Sequence, residues 1–155
     1  MGPRWQFEPA PGTVVTLSVE AMVQALMAGG RRTIAAARKS MRSPSQAKRT
    51  WDIDIEGAMA EMAVAKATGM YFEPELDKFG DADVGILHVR HTTLEDGCLI
   101  LRPEDPEGRY CLVVGQLGRY RIVGCIDSAD ARQDIWMRAP NGRPAAWFIP
   151  QNALG

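Results

Sequence analysis

Asp83-Val84-Gly85-Ile86-Leu87-His88-Val89-Arg90 and the earlier run from Ile55 to Lys66, Ile-Glu-Gly-Ala-Met-Ala-Glu-Met-Ala-Val-Ala-Lys, are the two most informative stretches of this chain. The earlier run is rich in Ala and Met and is soon followed by Gly69, which predicts a helix over Glu56–Thr68. Apolar and β-branched residues from Ile86 to Thr93 predict a strand. A carboxylate in the middle of a helix, followed by an acidic residue that enters a strand, is a pattern that can assemble a metal-dependent phosphodiesterase.

The predicted helix carries three charges, Glu56, Glu61 and Lys66, at intervals of five residues. At about 100° per residue, each is turned by about 140° from the last, so the three cannot share one solvated face. We therefore expect Glu61, the central one, to point towards other parts of the protein. Burying an ionised carboxylate costs free energy unless a cation, a metal ion or several hydrogen-bond donors meet it.

His88 and Arg90 lie on one face of the predicted strand, because side chains alternate with a period of two. Asp83 has the opposite parity and joins them only if the backbone turns near Val84 and Gly85, which glycine permits. Mg²⁺ prefers oxygen ligands and is commonly held by one or two carboxylates. A site built from Glu61, Asp83 and a ligand of the strand would meet this ligand preference of Mg²⁺.

The N-terminal part of the chain is predicted to be helical. Ser18 is a candidate N-cap, Gly29-Gly30 is expected to end the first helix, and a second helical piece is predicted from Arg32 to Met41, before Ser43-Pro44-Ser45. The apolar residues of the first helix recur at steps of three and four, as expected of a core-facing stripe; they are Val19, Met22, Val23, Leu26 and Met27.

The C-terminal half reads as a series of short strands. Glu95-Asp96-Gly97 predicts a hairpin between Ile86–Thr93 and Cys98–Arg102. Strands are also predicted at Tyr110–Val114, Tyr120–Ile126 and Trp147–Ile149, with a short helix from Ser128 to about Trp136. Helices followed by clustered strands, with no repeat and no dividing linker, predict one domain of the α/β (α+β) class over residues 1–155.

Composition indicates a soluble globular protein, with 46% hydrophobic and 24% charged residues among 155. No apolar run approaches the roughly 20 residues that cross a bilayer, so we expect no membrane association and a cytoplasmic location. Residues 1–50 carry eight Lys/Arg and two Asp/Glu, a net +6, whereas residues 51–155 carry ten and seventeen, a net −7. The basic portion is either a solvated helix face or a nucleic-acid-binding segment; its candidate residues are Arg31, Arg32, Arg38, Lys39, Arg42, Lys48 and Arg49.

The three cysteines, Cys98, Cys111 and Cys125, are widely spaced within apolar runs. An odd number in such a setting is typical of buried reduced thiols rather than of a disulfide framework. No pair has the Cys-x-x-Cys spacing of a structural zinc site, so zinc is not the expected metal.

A helix Glu, then an Asp, then a short strand ending in x-Val-cation resembles the pattern of the PD-(D/E)XK nuclease superfamily. Several motifs are similar to those of small bacteriophage proteins placed in that superfamily, over roughly residues 20–149. They are Asp-Ile-Glu-Gly-Ala-x-x-Glu-x-Ala-Val-Ala-Lys, Asp-Val-Gly, Val-Arg-x-Thr, Leu-Ile-Leu-Arg-Pro-Glu-Asp and Arg-Ile-Val-Gly. The resemblance implies a restriction-endonuclease-like core over residues 51–155, a mixed sheet flanked by helices, after the basic helical portion at 1–50.

The resemblance also implies roles for four residues. Glu61 matches the helix carboxylate, Asp83 the metal-binding Asp, His88 the Glu of Glu-x-Lys, and Arg90 its Lys; Glu61, Asp83 and His88 would bind Mg²⁺ or Mn²⁺. Two positions depart from the pattern. Imidazole is less suited to Mg²⁺ than a carboxylate, and an Arg, which stays protonated, can contact phosphate but cannot act as a base.

Two functions follow as expectations. The first is a metal-dependent, phage-type nuclease or DNA-processing enzyme with Arg90 facing phosphate. The second is a catalytically silent nuclease fold that binds nucleic acid or a protein partner, as an accessory factor or a host-defence inhibitor. Alternative roles for the site residues are a buried Glu61–Arg90 ion pair beside Asp83 and a hydrogen-bonded core position for His88. The oligomeric state stays open, a dimer included.

Overall fold

The computed structural model describes residues 8–42, 50–72 and 82–155, with side chains described up to residue 39 in the first range. The helices of these ranges are α1 (Val19–Arg42), α2 (Trp51–Thr68) and α3 (Ser128–Ala131). The strands are β1 (Thr13–Thr16), β2 (Leu87–Thr92), β3 (Leu99–Leu101), β4 (Arg109–Gln116), β5 (Arg119–Asp127), β6 (Met137–Arg138) and β7 (Ala146–Ile149). Short 3-10 turns occupy Asp134–Trp136, Pro140–Gly142 and Gln151–Ala153. The predicted α+β class is confirmed.

The main sheet has the strand order β1-β5-β4-β2. β2 runs parallel to β4, whereas β1 and β4 are both antiparallel to β5. β3 lies in a second sheet, β3-β7-β6, where it pairs with β7. The predicted hairpin between 86–93 and 98–102 is therefore wrong. A turn signal fixes only the local chain direction, and β3 instead places the buried Leu99 and Leu101 in a separate cluster with Ile149.

Apolar clusters lie on both faces of the main sheet. On one face, Cys111 and Val113 of β4 belong to a cluster that includes the buried residues of α1 and α2. On the other face, Tyr110 and Leu112 pack with buried residues of the second sheet. Every residue of β4 from Tyr110 to Val114 is therefore buried, because both faces of this central strand are covered.

Two of the predicted helix ends, the start at Ser18 and the end at Gly69, are confirmed. The hydroxyl of Ser18 accepts a hydrogen bond in the first turn of α1, and Gly69 ends α2 in the left-handed conformation with φ 71°. α2 begins at Trp51, five residues before the predicted start, because the hydroxyl of Thr50 accepts a hydrogen bond from the Ile53 N–H at 3.4 Å. This additional first turn is acidic, as the helix dipole favours.

Gly29-Gly30 does not end a helix, because α1 continues through it to Arg42. A Cβ atom at Gly29 would lie 2.5 Å from Ile55 Cα and 2.7 Å from Asp54 O, both backbone atoms of α2. Gly29 is thus the point of close contact between the two helices. Glycine is required at this position because it has no side chain and lets the two helices pack closely, and not because it forms a turn.

Of the predicted core stripe of α1, only Met22 packs against the core, where it is partly buried. Val19, Val23, Leu26 and Met27 are 72%, 47%, 46% and 53% exposed. Small side chains face α2 instead, since they let the two helix backbones approach closely; they are Ala21, Ala25 and Ala28, all at most 3% exposed.

Cys111 and Cys125 form a disulfide, which corrects the expectation that all three cysteines are reduced. The two residues are partners in the β4–β5 ladder, with Cα atoms 4.1 Å apart. Their separation of 14 residues gives no local motif, so only the register of the hairpin brings them together. Cys98 is the free cysteine.

We expect protein purified without reductant to show one reactive thiol after denaturation, and reduced protein to show three. Closing a loop of this length constrains the unfolded chain, so reduction should lower the free energy of unfolding by about 2–3 kcal/mol. Thiol titration in guanidinium and urea denaturation of both forms measure these two quantities. Three thiols in the unreduced protein would contradict the disulfide.

Candidate functional site

A cleft of about 710 Å³ lies between α2 and β2, the edge strand of the main sheet. Three of the four predicted site residues, Glu61, Asp83 and Arg90, line it. The cleft carries more acidic than basic groups; its charged residues and its histidine are Arg32, Asp52, Asp54, Glu56, Glu61, Asp83, Arg90, His91 and Arg102.

Glu61 points into the protein, as the spacing of charges along its helix predicted, and is 9% exposed. Its partner is Arg32 of α1, which donates from Nη1 to Oε1 at 3.1 Å and from Nη2 to Oε2 at 2.8 Å. Both side chains are 11% exposed. Such a two-point contact is the strongest form of an Arg–carboxylate pair, and it neutralises the carboxylate that the metal site requires.

This contact changes the interpretation of Arg32 and Arg90. Arg32, predicted to bind nucleic acid, is turned towards α2 and is committed to Glu61. Arg90, the alternative partner considered for Glu61, instead forms an ion pair with Asp105 at 3.2 Å. Sequence pattern gives no means of choosing between two cations so far apart along the chain.

Asp83 lies in the tight turn that starts β2. Its N–H and that of Val84 both donate to Leu87 O, and Gly85 takes φ 57° within the turn. The backbone therefore reverses near Val84 and Gly85, which is the condition that the sequence set for bringing Asp83 towards the strand. The Asp83 carboxylate accepts a hydrogen bond from the Val89 N–H at 2.7 Å. Asp83 thereby satisfies a backbone donor of β2, which is a structural role at the edge of the cleft.

His88 and Arg90 share a strand face, as predicted, and that face is directed towards Tyr110 in the second cluster. The His88 ring stacks on Tyr110 with centroids 4.5 Å apart, and the Arg90 guanidinium lies 4.9 Å from the same ring. Leu87 and Val89, the alternate residues, pack on the side of α2. His88 is 6% exposed, and burial is the main reason that its pKa is lowered from the usual value.

The predicted metal site of Glu61, Asp83 and His88 is not assembled. In the part of the chain that the structure describes, residues 8–42, 50–72 and 82–155, the potential ligand atoms of Glu61, Asp83 and His88 do not all lie within 4.8 Å of one another. The reason is geometric, because His88 faces away from the helix that carries Glu61. The chemistry does not fit Mg²⁺ or Mn²⁺ either, since Arg32 already binds the Glu61 carboxylate and His88 offers nitrogen.

One group of three potential ligands does occur in the described ranges: Glu8, Cys111 and Cys125. The two sulfur atoms are bonded to each other in the disulfide. The Glu8 carboxylate accepts a hydrogen bond from Arg109 Nε at 2.7 Å. The group is therefore an ion pair beside a disulfide rather than a metal centre.

Glu56 connects α2 to the β4–β5 turn, a contact that sequence reasoning did not find. Its carboxylate accepts from Tyr120 Oη at 2.5 Å and from the Leu117 N–H at 3.1 Å. His91 Nε2 lies 4.0 Å from it and 2.7 Å from Gly115 O. Burial, then the bond to Glu56, raises the pKa of Tyr120 far above its usual value, so the phenol stays protonated as the donor.

The basic residues of α1 divide into two groups. Arg31, Arg38 and Lys39 are exposed, in agreement with a surface that meets solvent or a polyanion. Arg32 is half-buried, with its guanidinium against Glu61. The remaining candidates lie outside the described side chains: Arg42, Lys48 and Arg49.

No protein-family model matches this chain, and comparisons with curated proteins and with solved structures give no match either. Among the helices of the described ranges, none has the length and apolar character needed to span a bilayer.

Proposed function

We propose that this chain is a nuclease-like protein that lacks catalytic activity and binds nucleic acid through its basic N-terminal portion. The observation that carries the proposal is the two-point contact between Arg32 and Glu61, with both side chains 11% exposed. A carboxylate held in this way does not offer free charge to a metal ion. The nuclease-like part of the proposal comes from the resemblance to phage proteins of the PD-(D/E)XK superfamily.

Nucleic-acid binding is supported by the distribution of charge. Residues 1–50 carry the net +6 noted above, and within the described helix Arg31, Arg38 and Lys39 are exposed. Phosphate contacts need accessible cations and no particular order of bases, so we expect binding with weak sequence preference and strong salt dependence. The proposal places the protein in the cytoplasm, that of the host cell if it is phage-encoded. A reducing cytoplasm would favour the dithiol form of Cys111 and Cys125.

We expect the variant Arg38→Ala/Lys39→Ala to bind a short DNA duplex about tenfold more weakly than the parent, with the slope of log K against log salt reduced by about 2. The variant Arg119→Ala/Arg143→Ala is the matched control, because it removes two exposed cations elsewhere. Fluorescence anisotropy at several salt concentrations measures both quantities. An equal loss of affinity in the two variants would show that binding depends only on net charge. Failure of the parent chain to bind DNA or RNA would refute the proposal.

Absence of catalysis is tested with plasmid DNA and with single-stranded and branched DNA in Mg²⁺ or Mn²⁺. We expect no cleavage by the parent chain or by Asp83→Asn. The second candidate, a metal-dependent nuclease, is favoured by the fact that Glu61, Asp83 and Arg90 line one cleft. Cleavage by the parent that is lost in Asp83→Asn would establish that candidate and overturn the first.

A further inference from the structure

The outward side of α1 is apolar along most of its length. At about 100° per residue, positions 19, 23, 26, 27, 30 and 34 fall within an arc of about 100°. The arc faces away from the buried alanines that contact α2, and its large side chains are 46% to 72% exposed; they are Val19, Val23, Leu26, Met27 and Ile34. Scattered apolar side chains are ordinary on a monomer, whereas a continuous patch marks an interface.

The apolar residues of this arc are spaced almost symmetrically about the midpoint between Leu26 and Met27. If a two-fold axis passes between Leu26 and Met27, an antiparallel copy of α1 places Val19 opposite the partner's Ile34. Leu26 then comes level with the partner's Met27 and lies beside the partner's Leu26 on the same edge of the arc. Val23 meets the partner's Gly30, where the absence of a side chain leaves room. A surface that matches itself under a two-fold rotation is the requirement for an isologous dimer.

The charges beside the arc favour the same arrangement. Glu20 and Arg31 lie along one edge of the arc, and a two-fold antiparallel pairing brings that edge against the same edge of the partner. Glu20 comes level with the partner's Thr33, two residues or about 3 Å along the axis from the partner's Arg31. Two symmetric Glu20–Arg31 pairs result. A parallel two-fold pairing would instead bring this edge against the opposite edge of the partner's arc, so Glu20 and Arg31 would not meet.

We propose that this protein forms a homodimer through antiparallel contact of its two α1 helices, centred between Leu26 and Met27. Because the contact is one helix pair, the dimer is reversible, with a dissociation constant in about the micromolar range. This inference does not rest on nucleic-acid binding, whose test changes Arg38 and Lys39 outside the arc.

Sedimentation velocity on the full chain, between roughly 1 and 500 µM, tests the dimer. The weight-average mass should rise from that of the monomer to that of the dimer, and Val23→Glu should raise the dissociation constant at least about tenfold, because it buries a charge at the contact. Ile135→Glu is the matched control, an isoleucine 68% exposed outside α1, and should leave the constant unchanged. A monomer throughout the range, or a dimer that Val23→Glu leaves intact, would overturn the proposal.

The antiparallel register is tested separately. Glu20→Arg and Arg31→Glu should each weaken the dimer, and the double variant should restore it. In a Cys98→Ser background, Leu26→Cys should cross-link to its own copy, whereas Val19→Cys should cross-link only when mixed with Ile34→Cys. Failure of both the charge restoration and this cross-linking pattern would rule out the proposed pairing.

Discussion

Replacing Gly29 by alanine should lower the free energy of unfolding by about 3 kcal/mol, the upper end of the usual cost of overpacking. The new Cβ atom would lie 2.5 Å from Ile55 Cα and 2.8 Å from Ile55 N. Because these are backbone atoms of α2, no side-chain rotation relieves the clash, and the two helices must separate. Urea denaturation of the variant at dilute concentration measures the loss.

Gly30→Ala is the control for that result. A Cβ atom at Gly30 would lie 3.7 Å from the Trp51 ring, an ordinary contact. Alanine has the higher helix propensity, so this variant should gain about 0.5–1 kcal/mol. Adjacent glycines with opposite effects would show that Gly29 serves the contact with α2. A Gly29→Ala protein as stable as the parent would show that the helices are not packed this closely.

Replacing Arg32 by methionine should lower the free energy of unfolding by about 3–5 kcal/mol, because it leaves the Glu61 carboxylate buried without its guanidinium partner. The guanidinium and the carboxylate are joined by two hydrogen bonds, with 11% of each side chain exposed, so solvent compensates little for the loss. Thermal and urea unfolding of the variant measure the effect.

The double variant Arg32→Met/Glu61→Met completes that experiment. Removing both charges should recover most of the loss, since a buried ion pair replaced by apolar side chains is often neutral in stability. Arg38→Met, at an exposed position of the same helix, should change stability by less than about 0.5 kcal/mol. If Arg32→Met resembled Arg38→Met, the Arg32–Glu61 contact would not hold α1 against α2.

Much of the secondary structure follows from local sequence. Gly69 ends α2 because a left-handed residue satisfies the last helical turn, and the apolar, β-branched runs at 110–114 and 120–126 predict the strands that became β4 and β5. The inward direction of Glu61 was also predictable, because the geometry of a helix forbids three charges five residues apart from sharing one face.

The candidate site was less predictable, since its contacts join residues distant in sequence. Arg32 lies 29 residues before Glu61, and Glu56 lies 64 residues before Tyr120. The parity of His88 was predicted, but which face of β2 would meet α2 was not. That choice depends on the cluster that receives Leu87 and Val89, and it separates His88 from Glu61.

The sequence by itself determined the α+β class, most helix and strand positions and the charge contrast between the N-terminal portion and the rest, because these depend on local propensity and composition. The tertiary structure alone decided which face of α1 is buried, which cation meets Glu61, and that Cys111 lies opposite Cys125. In each case several partners of suitable chemistry exist along the chain. Only the packing of α1 and α2 and the register of β4 with β5 select among them, because a side chain contacts what the fold places within a few ångströms.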